Sequence, residues 1–173
     1  MKRILLIMVM MLTVVGAKAQ VTMNARAGIG VLPDDNGDFG AGFLGIFQMN
    51  IPFKKGGRFT LSPSVELDLP SDASHSRFVF PLNVGCKVPM GNRKLYFPKI
   101  GPVVGYNGCS EDVKAIAGLS TEHAFEFKHF IVAVGAYYSF LLEQHDILNY
   151  NSTYVGTSET EVYGVHLTLG YKF

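Results

Sequence analysis

The stretch from Arg58 to Leu69 decides the fold. It reads Arg58-Phe59-Thr60-Leu61-Ser62-Pro63-Ser64-Val65-Glu66-Leu67-Asp68-Leu69, and polar and apolar residues alternate at every position. Because successive side chains of a β-strand point to opposite faces, the pattern predicts one strand with an apolar face and a polar face. The run is also long, since strands usually have about five or six residues and strands that cross an outer membrane have about 9 to 11.

The same alternation recurs along most of the chain. Large apolar and aromatic residues occupy one face of each segment, and Gly, Ser, Thr, Asn and single charges occupy the other. Six further strands are predicted on this basis: Val21–Val31, Phe39–Ile51, Arg77–Val88, Leu95–Asn107, Phe130–Leu141 and Tyr163–Phe173. Periodicity alone does not say which face points inward, so a soluble secreted lipocalin-like barrel is an alternative to a membrane barrel.

The N-terminus has the pattern of a secretory signal peptide. Lys2 and Arg3 precede the apolar run Ile4–Val15, and a small-residue motif that ends at Ala19 follows it. We predict cleavage between Ala19 and Gln20, which leaves residues 20–173 as one exported barrel domain. Export and strand length together favour lipid around the apolar face, where a sheet must close because every backbone polar group has to be paired.

Seven strands and even closure require an eighth strand between Gly108 and Glu161. Asp146–Val155 alternates moderately, whereas Val113–Thr121 alternates poorly. We therefore place the eighth strand at Asp146–Val155, and Glu111–Glu126 then becomes a long outer loop. The predicted fold class is all-β, an eight-stranded antiparallel up-and-down transmembrane β-barrel.

The connections between the predicted strands alternate in charge. The short ones, Phe53–Gly57 and Pro89–Lys94, are basic Gly-containing turns of the hairpin type. The opposite set includes Pro33–Gly37 and Pro70–His75 and is polar and acidic. We expect the acidic connections to face outside the cell and both chain ends to lie in the periplasm.

These segments resemble the small outer-membrane β-barrel proteins of Bacteroidetes, described as porin-family or OmpA-type β-barrel domains. The resemblance is carried by five motifs: Ala25–Gly30, Phe59–Leu67, Phe80–Val84, Ile100–Tyr106 and Leu169–Phe173. It implies an eight-stranded outer-membrane barrel and no catalytic residues. The terminal aromatic Phe173 resembles the signal by which barrel-assembly machinery recognises its clients.

An eight-stranded barrel encloses a space that side chains can fill, so the predicted lumen is plugged. Four charges are predicted to face inward: Arg26, Glu66, Lys87 and Lys99. Because a buried charge without a partner is costly, we expect these groups to pair. The specific hypothesis is that Glu66 meets Arg26 or Lys99 across the lumen.

No other chemistry is indicated. The five histidines lack the spacing of a metal site, and Cys86 and Cys109 lie too far apart in register for a disulfide. Asp72, Ser74 and His75 form the closest grouping to a hydrolase site, but adjacency in sequence does not establish catalytic geometry. We predict no enzyme activity, no cofactor and no metal, and the net charge of +1 gives no argument for nucleic acid.

The predicted function is that of an integral outer-membrane protein with a role in envelope structure or in surface interaction through its acidic loops. The expected partners are outer-membrane lipid, the barrel-assembly machinery and an extracellular ligand that the sequence does not name. A narrow channel for ions or small solutes is the main alternative, and a lipid-modifying enzyme is a further one.

Overall fold

The computed structural model describes residues 21–33, 39–70, 75–109, 113–142 and 161–173, and the chain within these ranges is built of strands and turns. The strands are β1 (Thr22–Pro33), β2 (Phe39–Pro52), β3 (Phe59–Pro70), β4 (His75–Cys86), β5 (Val88–Pro89), β6 (Leu95–Cys109), β7 (Val113–Glu126), β8 (Phe130–Leu142) and β9 (Glu161–Lys172). The predicted cleavage site at Ala19 and Gln20 lies outside the described residues. Within the described ranges, no helix is long and apolar enough to cross a membrane.

The strands form one antiparallel sheet that closes on itself. Their order is β4-β3-β2-β1-β9-β8-β7-β6-β5, and a pairing between β4 and β6 completes the ring. The short β5 continues β4 past Lys87, because the pairs Gly85↔Lys99 and Val88↔Tyr96 belong to one unbroken register. The two therefore act as a single strand, and the predicted eight-stranded antiparallel barrel is confirmed.

All seven strands predicted from clear alternation are present, but the predicted position of the eighth strand is wrong. The eighth strand is β7, which pairs with β6 along its whole length and with β8 from Ala115 to Glu126. The predicted outer loop at Glu111–Glu126 is therefore mostly strand. Asp146–Val155 lies outside the described residues.

The two faces of the sheet have opposite chemistry. Large apolar side chains point outward, and Phe43, Ile100 and Leu169 are 66%, 62% and 62% exposed. Polar side chains point inward, where Gln48 and Thr168 are completely buried. Since a soluble barrel keeps its apolar residues inside and its polar residues in water, these faces contradict the lipocalin-like alternative.

Aromatic residues gather at the end of the barrel that carries the turns β2–β3, β5–β6 and β7–β8, called here the turn end. The Tyr171 ring meets the rings of Phe130 and Phe173 edge-on, with centroids 6.0 Å and 5.4 Å away. Phe173 is exposed, and its backbone N–H donates a hydrogen bond to the Met23 carbonyl over 2.9 Å. Aromatic girdles of this kind flank the apolar band of outer-membrane barrels.

Two glycines of the sheet provide a test of strand packing. A Cβ atom at Gly118 on β7 would collide with the carbonyl oxygen of Tyr138 and lie 2.5 Å from the Cα of Ser139, whereas a Cβ at Gly45 on β2 would meet nothing within 4 Å. We expect Gly118→Ala to lower the free energy of unfolding by about 1–3 kcal/mol, because backbone atoms have no room to move aside. The matched Gly45→Ala should change it by less than about 1 kcal/mol, in the stabilising direction.

Urea unfolding of the two variants in lipid vesicles measures both values. Equal effects of the two substitutions would contradict the close approach of β7 and β8 at Gly118.

Candidate functional site

The barrel interior holds a buried cluster of charges. Arg26 on β1, Lys99 on β6 and Glu122 on β7 have side chains that are 0%, 2% and 3% exposed. Arg26 Nη2 donates a hydrogen bond to Glu122 Oε2 over 2.7 Å, and Lys99 Nζ donates to Glu122 Oε1. One carboxylate thus binds two cations, one on each of its oxygens.

Neutral side chains extend this cluster across the lumen. Lys99 Nζ also donates to Gln48 Oε1 over 2.7 Å, and Asn24 Nδ2 donates to the same oxygen over 3.3 Å. Arg26 Nη1 lies 3.5 Å from Thr168 Oγ1. The members belong to β1, β2, β6, β7 and β9. Two of the hydrogen bonds, Arg26 to Glu122 and Lys99 to Gln48, connect strands that are not neighbours in the sheet.

Glu66 on β3 is a second buried carboxylate, and it does not form the ion pair expected from the sequence. Its Oε1 accepts a hydrogen bond from Ser64 Oγ over 3.4 Å. In the part of the chain that the structure describes, Arg26 and Lys99 form their ion pairs with Glu122 instead. The sequence pattern predicts an outer loop at Glu122, so the true counter-ion is missing from the predicted set of lumen charges.

The fourth predicted lumen charge, Lys87, lies closer to the turn end and is half-buried. Its Nζ lies 5.3 Å from the centre of the Phe97 ring, and Lys99 Nζ lies 4.4 Å from the same centre. Such placement is favourable because the face of an aromatic ring attracts a cation. Phe97 is completely buried and belongs to an apolar cluster with Ala124, Ile131 and Ala133.

A second layer of side chains lies toward the opposite end, called here the loop end. The Tyr137 hydroxyl donates to Asp68 Oδ2 over 3.2 Å, and Arg77 Nη1 donates to the Tyr137 oxygen over 3.3 Å. Asp68 and Arg77 face each other in the register of β3 and β4. Tyr137 also belongs to a buried apolar cluster with Val79, Val103 and Ile116.

A small cavity lined by both polar and apolar residues remains beside the charged cluster. Its volume is about 10 Å³, and its lining includes Glu66, Asn83, Glu122 and His166. A space of this size holds about one water-sized sphere. His166 therefore lies in the lumen, as its place in the alternating pattern predicts, and its Nε2 has no hydrogen-bond partner among the described residues.

The remaining candidates from the sequence lie apart from this cluster. The described residues contain no group of three or more His, Cys, Asp or Glu side chains that could hold a metal ion. Cys86 is a free thiol at the turn end, whereas Cys109 pairs in register with His75 at the loop end. Asp72 and Ser74 lie outside the described residues.

A pair of isosteric substitutions tests the role of the counter-ion. Glu122→Gln removes the ion-pair partner of Arg26 and Lys99 while both stay buried, so we expect the free energy of unfolding to fall by about 3–5 kcal/mol. Glu66→Gln keeps an oxygen that can accept the Ser64 hydrogen bond and breaks no ion pair between described residues, so we expect a loss of about 1 kcal/mol or less.

Both values are measured by urea titration of protein folded in lipid vesicles. If Glu66→Gln costs as much as Glu122→Gln, the assignment of Glu122 as the carboxylate that holds the two cations is wrong.

Comparison with known proteins bears on the fold. No protein family model and no curated protein matches the chain. Among solved structures, the chain is similar to Neisserial surface protein A, NspA, with 10% identity, a TM-score of 0.64 and coverage of 88% of this chain and 95% of that one. Ail, the attachment invasion locus protein of Yersinia pestis, has 11% identity, a TM-score of 0.48 and coverage of 88% and 97%. At this identity the likeness to NspA establishes a shared barrel fold.

Proposed function

We propose that the chain is an integral outer-membrane barrel whose lumen is closed by its own side chains and whose loops act in envelope structure or surface interaction. The observation that carries the proposal is the apolar exterior. Phe43 on β2, Leu119 on β7 and Leu169 on β9 are 66%, 60% and 62% exposed, on three different strands of the ring. Apolar area costs roughly 25 cal/mol per Å² in water, and a lipid phase removes that cost.

The packing of the interior supports a closed lumen. The Arg26–Glu122 ion pair and the Lys99–Gln48 hydrogen bond cross its middle. Phe97 fills the side toward the turn end, and Tyr137 with Arg77 fills the side toward the loop end. An ion would have to displace these side chains from one another. Each broken contact would leave a charge or polar group inside the barrel without a partner, which is costly.

The charge distribution supports an orientation with the loop end outside the cell. In the sequence, acidic residues concentrate in the connections at the loop end, for example at Asp34, Asp35 and Asp112, and basic residues concentrate in the turns. The acidic loops would meet an extracellular ligand. Export through the periplasm by the signal peptide and recognition of Phe173 by barrel-assembly machinery belong to the same proposal, which includes no catalytic step.

A single tryptophan can test the contact with lipid, because the chain has none. The outward Leu119→Trp should be quenched by phosphatidylcholine with brominated acyl chains, since the new ring would lie in the hydrocarbon region. The inward Tyr137→Trp should be protected in the same vesicles. Both variants must first show the heat-modifiable gel migration of a folded barrel, and strong quenching of Tyr137→Trp together with protection of Leu119→Trp would reverse the proposed faces.

Single-channel recording tests the closed lumen. The unmodified barrel in planar bilayers should be silent, because its interior is filled by paired side chains. The triple variant Arg26→Ala, Lys99→Ala and Glu122→Ala removes the central cluster without leaving any of its three charges unpaired. We expect discrete conductance steps from this variant, and steps of similar size from the unmodified barrel would instead establish the channel alternative.

A further inference from the structure

A groove with four cations lies at the turn end of the barrel, between the turns β5–β6 and β7–β8. Its volume is about 370 Å³. The cations that line it are Arg93, Lys94, Lys128 and Lys172. Leu95 and Phe127 add an apolar wall, so the groove combines positive charge with a surface suited to hydrocarbon.

Protein carboxylates do not balance this charge. Lys172 Nζ binds Glu126 Oε2 over 2.9 Å, and Glu126 is 1% exposed. Within the part of the chain that the structure describes, Arg93, Lys94 and Lys128 form no ion pair. Four cations thus line the groove, and among the described residues only Lys172 is paired, with Glu126 behind it, so three positive charges remain without an ion-pair partner.

The backbone at Arg93 is unusual as well. Its φ of 59° lies in the left-handed region, and it is the only non-glycine residue with a positive φ among those described. This conformation is unfavourable for any residue with a Cβ, whereas glycine adopts it freely. Arg93 lies in the hairpin turn between β5 and β6, where glycine or asparagine normally supplies this conformation. Glycine would relieve the strain at this position, whereas arginine keeps the strain and adds a guanidinium group to the wall of the groove.

We propose that this groove binds the phosphate of an anionic phospholipid in the leaflet at the turn end. The inference rests on the proposed function, which puts the turn end at a membrane surface. Arginine and lysine bind phosphate oxygens through charge-assisted hydrogen bonds, and basic residues near a membrane surface attract anionic lipid. Phe127, which is exposed, would contact the first carbons of the acyl chains, a contact that an inorganic anion does not need.

The groove position also fits a bound lipid. Phe125 and Phe130, which flank the β7–β8 turn, are 41% and 66% exposed and belong to the outward apolar surface. The apolar wall at Phe127 lies between them in sequence. A lipid could therefore place its phosphate among the cations while its chains follow the outer face of the barrel.

The experiment uses Phe127→Trp as a reporter in the full barrel, since no other tryptophan contributes to the fluorescence. The protein is refolded in phosphatidylcholine bilayers that contain an equal small fraction of brominated phosphatidylglycerol or of brominated phosphatidylcholine. We expect a relative association constant roughly fivefold higher for the anionic lipid, which corresponds to the attraction of about one basic residue at a charged surface.

A charge-matched pair of variants separates this groove from the general charge of the turn end. The groove variant is Arg93→Gln, Lys94→Gln and Lys128→Gln in the reporter background. The control is Arg58→Gln, Lys54→Gln and Lys55→Gln, which also removes one arginine and two lysines but from the exposed region of the β2–β3 turn, away from the groove. The preference should fall to near onefold in the groove variant and persist in the control.

Three results would overturn the proposal. The first is no lipid preference in the parent barrel, and the second is an equal loss in both triple variants. The third is loss of the preference on adding inorganic phosphate but not sodium chloride of the same ionic strength, which would assign the groove to a soluble anion. Failure of the membrane proposal itself is recognised separately, because brominated phosphatidylcholine would then fail to quench the fluorescence of the Leu119→Trp variant.

Discussion

The attachment of Arg26 and Lys99 to the single carboxylate of Glu122 is the interaction on which the interior depends. This barrel directs its large apolar residues outward, so the described part of the chain has only two small apolar clusters inside to stabilise the closed sheet. Most of the interior consists of buried polar groups, and these stabilise the fold only when they are paired. The Arg26–Glu122 pair joins β1 to β7 across the lumen, and Lys99 on the neighbouring β6 binds the same carboxylate.

Space for these side chains comes from glycines that also face inward. A Cβ atom at Gly164 would lie 2.8 Å from the Tyr137 ring, and one at Gly135 would collide with the ring of His166. Small barrels commonly place small and large residues in alternation so that the interior fills evenly. Here Gly135 on β8 faces the ring of His166 on β9, and Gly164 on β9 faces the ring of Tyr137 on β8. The two rings fill the space that the glycines leave, so little free volume remains beside Glu66.

Alternation was sufficient to predict seven strands, because their two faces differ strongly in hydrophobicity. It failed for β7, where Ala115 and Ala117 are small and Ile116 points inward, so the first half of the strand has little contrast between its faces. In the second half, Leu119 and Phe125 point outward and Glu122 and Glu126 point inward, but Thr121 and His123 place polar residues on the outward face and weaken the alternation. In addition, no sequence pattern specifies that Arg26 binds a partner 96 residues away on a strand that is not its neighbour. Such a pairing depends on the register and closure of the whole sheet.

If the walls contact lipid and the lumen is closed, the two ends of the barrel are the surfaces that can bind other molecules. At the turn end the connections are short and tied by backbone hydrogen bonds, such as Gly57 N–H to the Lys54 carbonyl over 2.7 Å and Phe127 N–H to the Phe130 carbonyl over 2.7 Å. Cations held in fixed positions on such turns are well placed to bind the phosphates of lipid headgroups, which repeat along a membrane surface. The connections at the other end differ in length and the longest spans residues 143–160, so selectivity for a particular external partner is expected there, where sequence can change without disturbing the sheet.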